Sequence, residues 1–163
     1  MSMEIEMPAA SKKPRHAAPA PKASYEGDFY AWTQEQGSLL RARRFDAIDW
    51  ENLAEEIETL GRDEFRKLVS FYRLIVLHML KFDHQPNNRT RSWLISIENH
   101  RDSAAEVLAD NPGLKSRVDE AVARAYNYAR RDAADETGLP LKTFAPLCPY
   151  SLDDIRDRPF PFE

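Results

Sequence analysis

The 163 residues, 42% of them hydrophobic, suffice for one domain of ordinary size, whose core needs no disulfide or metal to support it. The single cysteine, Cys148, excludes an intrachain disulfide and leaves no cysteine pair at zinc-ligand spacing, which favours a cytoplasmic protein. No apolar run is long enough to span a bilayer, so we predict no membrane partner. The net charge of -4 disfavours nucleic acid as a partner, because an acidic body repels phosphates.

The first 24 residues differ from the rest of the chain in composition. From Pro8 to Ser24 they consist mainly of Ala, Pro, Lys and Ser, and basic side chains outnumber acidic ones. Proline removes backbone donors and favours extended conformations. We therefore predict a disordered basic tail over residues 1–24 and a single helical domain over residues 25–163.

Two helices are predicted at the start of this domain. Asp28 is a suitable N-cap for the first, and Asp49 for the second. We expect Gly61 to end the second helix in a left-handed conformation. The apolar residues of the second helix recur at coiled-coil-like steps: Trp50, Leu53, Ile57 and Leu60.

Three further helices follow in the sequence. A long central helix is predicted from about residue 63 to 85, where Pro86 stops it. The next helix should run from about 91 to 109 and the last from about 113 to 137, with Gly138 as its stop.

The end of the chain is punctuated by prolines. Ser151 and Asp154 are spaced to cap one short helical turn, and Pro159–Glu163 is predicted to be an irregular tail. Short connections between long amphipathic helices favour antiparallel packing. The predicted fold class is therefore all-α, a bundle of four to five helices with an irregular proline-rich C-terminal segment.

Four polar residues are candidates for chemistry. His78 and Lys81 share one flank of the central helix, and Glu56 borders the apolar stripe of the preceding helix. If these two helices pack together, Glu56 reaches the flank of His78 and Lys81. Arg101 falls close to the apolar face of its helix and needs a carboxylate partner, for which Glu56, Asp132 and Glu136 are available.

Structural interpretations of the same residues stay open beside the functional one. Burial beside Leu74 and Phe82 disfavours a charged His78, as expected of a core histidine. The glutamates around Glu56 equally fit a solvated acidic face. The chain has no Glu-x-x-His or His-Glu-x-x-His motif, so we predict no metal ion and no cofactor.

Several motifs resemble one bacterial family over about residues 25–155. They are Asp49-Trp50-Glu51-Asn52-Leu53-Ala54-Glu55-Glu56-Ile57-Glu58, Gly61, His78-Met79-Leu80-Lys81, Gln85-Pro86, Arg91-Ser92-Trp93, Arg101 and Glu136-Thr137-Gly138-Leu139-Pro140. The chain is similar in these motifs to the family known as domain of unknown function twenty-nine. The resemblance implies a helical domain of bacterial origin and carries over no catalytic residue.

Two functional hypotheses follow. The first is a non-catalytic protein-interaction or regulatory module, which expects a protein partner or a homo-oligomer. The second is an enzyme, acting on phosphodiesters, whose site is formed by Glu56, His78, Lys81 and Arg101 between helices. Convergence of these four side chains distinguishes the two hypotheses, because catalytic groups act within hydrogen-bond reach of one another or of one water.

Overall fold

The computed structural model describes residues 24–161, whose contacts divide them into two compact units, one ending at Leu53 and the other starting at Ala54. These residues form helices and no strand, which confirms the predicted all-α class. The single domain stays a prediction, and residues 1–23 and 162–163 of the predicted tails lie outside the described residues. The five α-helices are α1 (Phe29–Arg41), α2 (Trp50–His84), α3 (Arg91–Asp110), α4 (Val118–Thr137) and α5 (Leu152–Asp157).

The first unit is organised around a buried tryptophan of α1. Asp28 caps α1 as predicted, since its side chain accepts a backbone N–H three residues on. Trp32 donates its indole N–H to the Asp49 carboxylate at 3.1 Å, and the Asp49 backbone N–H donates to Gln36 at 2.9 Å. Asp49 also accepts from the backbone N–H of Asn52, which confirms its predicted role as the cap of α2.

A single helix of 35 residues, α2, replaces the predicted second and third helices. The prediction that Gly61 ends a helix is wrong, because Gly61 lies inside α2 and does not adopt a positive φ. Glycine weakens a helix interior by only about 1 kcal/mol, less than breaking the helix would cost in backbone hydrogen bonds. Ion pairs within the helix support the junction, among them Glu58 with Arg62 and Asp63 with Arg66.

The second unit packs α3, α4 and the C-terminal segment around α2. The predicted stop at Gly138 is confirmed by its φ of 71°, and Ser151 and Asp154 form the predicted cap of α5. The last long helix begins later than predicted, because 3-10 geometry covers Pro112–Arg117. The fully buried core side chains of the second unit include Leu68, Val76, Met79, Leu80, Ile97, Ala121, Ala125, Phe144 and Ile155.

None of the helices formed by residues 24–161 is both long enough and apolar enough to cross a bilayer.

Replacing Gly61 by alanine should raise the free energy of unfolding by about 1 kcal/mol, because alanine restricts the unfolded chain and favours the helix. A Cβ at Gly61 meets no atom of residues 24–161 within 4 Å, so no clash with them opposes the gain. Gly138→Ala is the matched control: a Cβ there also meets no atom of the described residues within 4 Å, but the φ of 71° strains alanine. Thermal and denaturant unfolding should therefore give opposite signs for the two variants, and equal signs would contradict this account.

Candidate functional site

The predicted polar flank of α2 faces α4. The Lys81 ammonium lies 2.6 Å from the Glu136 carboxylate and 4.6 Å from the centre of the Trp93 ring, and the Lys81 side chain is only 12% exposed. Gln85 donates its side-chain N–H to the carbonyl of Thr137 at 3.3 Å. The ion pair with Glu136 and the hydrogen bond to Thr137 fix the C-terminal end of α2 to the last turn of α4.

His78 lies one turn before Lys81 and is partly buried. Its Nδ1 is buried and has no hydrogen-bond partner among residues 24–161. Burial lowers the pKa of the imidazole to about 4, nearby Lys81 and His100 act in the same direction, and Glu136 opposes them. His78 is therefore neutral near pH 7, and its pKa makes it a weak general base there.

Glu56 does not join this cluster. It lies 22 residues before His78 on the same continuous helix, which separates the two residues by about 33 Å at 1.5 Å per residue. The hypothesis that Glu56 and His78 share a site within one chain is therefore wrong. The reason is the uninterrupted α2, which keeps the two predicted helices from folding back on each other.

Arg101 holds the last helix in place. Its guanidinium donates to the carbonyls of Ile155 at 2.8 Å and of Asp154 and Arg158 at 3.0 Å each. A further N–H donates to Glu98 at 2.9 Å. Arg101 thus donates to carbonyl groups in and after the last turn of α5, among them the Asp154 carbonyl, which also accepts the Arg158 backbone N–H.

The predicted carboxylate partners of Arg101 are wrong. Asp132 is bound by Arg73 through two hydrogen bonds, and Glu136 is bound by Lys81. The actual partner is Glu98, three residues earlier on the same helix. Of the four candidates, the structure brings together His78 and Lys81, and it places Arg101 in a separate contact with α5.

A third polar network, which the sequence analysis did not predict, joins Asp83, Tyr150 and Arg158. Tyr150 donates its hydroxyl to Asp83 at 2.8 Å, and Arg158 donates to both Asp83 oxygens at 2.9 and 2.6 Å. Burial raises the pKa of the Asp83 carboxyl, but the bonds from Arg158 and Tyr150 outweigh burial and hold that pKa below its ordinary value. Burial and the bond to Asp83 raise the pKa of Tyr150. The network ties the C-terminal segment to α2.

One face of α2 changes from buried to exposed along the helix. Steps of three and four residues link Ile57 and Gly61 to the buried Phe65 and Leu68, so all four lie on one side. Arg117 stacks on the Phe65 ring at 3.9 Å, where the core ends. Beyond this point Ile57 is 61% exposed and Leu60 is 67% exposed. We call Ala54, Ile57, Leu60 and Gly61 the open face of α2.

An open groove of about 560 Å³ lies between α2, α3 and α5. Its floor is apolar and its rim carries charges of both signs, among them Lys115 and Arg156 against Asp102 and Asp157. This mixture favours no one class of ligand. The buried residues of the floor are Tyr72, Ile75, Ala104, Leu108 and Ile155.

Comparison with known families matches the model of Domain of unknown function DUF29 to residues 24–161. The chain belongs to this family. Comparison of the chain with curated proteins and with solved structures gives no match. In this DUF29 chain several residues of the recognised motifs have structural contacts, including Lys81, Gln85, Arg101 and Gly138.

Replacing His78 by glutamine should reduce the loss of stability in acid. The folded-state pKa of about 4 lies below the ordinary value of 6.5, so between these values the unfolded chain binds a proton that the folded chain does not. Stability therefore falls as pH drops through this window. Because His78 keeps partial access to solvent, we expect a contribution of roughly 1–2 kcal/mol.

The measurement is the free energy of unfolding of wild type and His78→Gln between about pH 4.5 and pH 7. The variant should lose less stability across this range than the wild type. His84→Gln controls for the loss of a histidine, since His84 is exposed on the same helix. Parallel curves for wild type and His78→Gln would refute the assignment.

Replacing Arg101 by lysine should lower the free energy of unfolding by roughly 2–3 kcal/mol, because one ammonium cannot serve three carbonyls in the geometry of a guanidinium. Arg66→Lys is the control, as Arg66 forms an exposed pair with Asp63 and should change stability by about 0.5 kcal/mol at most. Denaturant unfolding measures both. An Arg101→Lys protein as stable as wild type would show that the α5 contact contributes little.

Proposed function

We propose that this protein is a protein-interaction module, and that the open face of α2 is where it binds its partner. The proposal is carried by one observation, the exposure of Ile57 and Leu60 on the face that forms the core of the bundle further along α2. Exposed apolar side chains that are contiguous and bordered by polar residues are typical of interaction sites. Glu56 and Glu58 provide such a border, one on each side of the face.

A partner helix fits this face best. The core of the second unit is built by helices that pack on α2, and the open face continues the same apolar stripe for about two further turns. A helix laid on the open face therefore extends the bundle with the same type of packing. Anchors spaced at three and four residues are the usual mode by which a groove or helix surface binds an amphipathic helix.

The competing hypothesis of an enzyme is less well supported by the geometry. Glu56 and His78 are far apart on one helix, and Arg101 uses four of its donors within the fold. His78 and Lys81 remain neighbours, but the low pKa of His78 makes it a poor proton acceptor at neutral pH. These observations favour a structural role over a catalytic one for the four predicted residues.

The test is gentle affinity purification of the tagged full chain from its own host, with wild type compared with Ile57→Gln/Leu60→Gln. Glutamine keeps helix propensity while removing the apolar surface. We expect a stoichiometric protein that copurifies with wild type and is reduced at least about tenfold in the variant, the equivalent of removing a central apolar anchor.

Ile95→Gln/Leu147→Gln is the matched control, since Ile95 is 54% exposed and Leu147 is 80% exposed, and neither lies on α2. The control should retain the partner. Recovery of the chain alone, of nucleic acid alone, or of a protein whose yield is the same for both double variants would overturn the proposed function. Circular dichroism of both variants checks that the helices are intact.

A further inference from the structure

Neither the backbone conformation nor the packing of the described residues requires glycine at position 61. Gly61 lies inside α2 without a positive φ, so the backbone does not require glycine there. A Cβ added to it meets no atom within 4 Å, so no neighbour in the described residues requires the space. An exposed glycine in a helix interior nevertheless costs about 1 kcal/mol relative to alanine.

A helix approaching from outside gives the glycine a role. Ala54 and Gly61 flank Ile57 at three and four residues, so two small residues lie beside one large one on the open face. Helix axes pack about 8–10 Å apart, and small side chains at the crossing allow the shorter distance. A partner backbone can therefore come close to α2 at Gly61, while Ile57 and Leu60 supply the apolar contact.

The charge around the open face indicates the charge of the partner. Residues 51–67 contain six carboxylates, Glu51, Glu55, Glu56, Glu58, Asp63 and Glu64, and three bases, Arg62, Arg66 and Lys67, which form ion pairs with Glu58, Asp63 and Glu64. The segment therefore keeps an excess of three negative charges. Two copies packed through this face would place carboxylates against carboxylates, which is unfavourable. A helix whose apolar stripe is bordered by lysine or arginine would meet opposite charges on both sides.

We infer that the occupant of the open face is a basic amphipathic helix of a partner protein, which crosses α2 closely at Gly61. This inference rests on the proposed function and adds the chemistry and the crossing point of the partner. The face is short, so its interface lies at the small end of specific complexes and the affinity should be about micromolar.

The experiment uses a pair of fluorescent synthetic helices of about 20 residues with leucine and alanine on one face. In one peptide the borders of that face carry lysine, and in the other they carry glutamate. Fluorescence anisotropy against the full chain measures Kd at low and at high salt. A peptide with the same composition as the lysine helix but in scrambled order controls for attraction between a basic peptide and an acidic protein.

We expect the lysine helix to bind at least about tenfold more tightly than the glutamate helix and the scrambled peptide, with an affinity that falls as salt rises. Ile57→Gln/Leu60→Gln should abolish this preference, and Ile95→Gln/Leu147→Gln should retain it. Gly61→Ala should raise the Kd of the lysine helix by about tenfold, because the added methyl group overpacks a close helix crossing. The same variant is more stable when unbound, so unfolding does not explain the loss.

Other outcomes overturn the inference. Equal binding of the lysine and glutamate helices would refute the inference that the partner is basic. Unchanged binding of the lysine helix by Gly61→Ala would refute the close crossing. Sedimentation that shows a dimer lost in Ile57→Gln/Leu60→Gln assigns the face to a second copy. If purification still yields a partner that depends on Ile57 and Leu60 while the peptides fail, only the inference falls; if both experiments fail, the proposed function falls too.

Discussion

The apolar face of α2 is the constraint on which the rest of the second unit depends. The buried side chains of α2 form one apolar core with those of α3, α4 and the C-terminal segment, and side chains along α2 make polar contacts with α4 and the C-terminal segment. Arg73 binds Asp132, Lys81 binds Glu136, and Asp83 binds Arg158. The apolar contacts supply the driving force for packing, and the ion pairs fix which neighbour lies at which level of the helix.

The polar residues that attract attention in the sequence are mostly used by this architecture. Arg101 serves the carbonyl groups of α5, and Lys81 lies between a carboxylate and an aromatic ring. His78 is kept neutral by desolvation. Buried polar groups need partners whether or not they act on a substrate. A cluster of ionisable residues near a helical core is for this reason weak evidence of catalysis, and here its contacts account for most of it.

The length of α2 leaves part of its apolar stripe exposed. The helix continues past the point where Arg117 covers Phe65, and its apolar stripe continues with it. Ending the helix at Gly61 would have removed the extension, whereas a continuous helix presents Ile57 and Leu60 on a rigid support. A site on a rigid helix loses little conformational entropy on binding, which favours recognition by a small surface. Under the proposed function, the glycine at position 61 both weakens the helix and leaves room for the partner.

The sequence by itself determined the features that depend on neighbouring residues. The caps at Asp28, Asp49 and Ser151 and the stop at Gly138 follow from local backbone chemistry, and so do the start of α1, the approximate bounds of α3 and the all-α class. The desolvation of His78 was also evident, because its apolar neighbours lie on the same helix.

Only the tertiary structure decided the rest. Glycine at position 61 is a residue type that often ends helices, but Gly61 adopts a helical conformation. The reason is that one glycine costs less free energy than breaking a long helix. The partners of Arg101 and Asp83 lie more than 50 residues away along the chain, apart from Glu98, and no local pattern indicates them. The exposure of Ile57 is likewise decided by where the surrounding helices end. Spacing along a helix fixes the side on which a residue lies, but the packing of distant segments fixes what that side contacts.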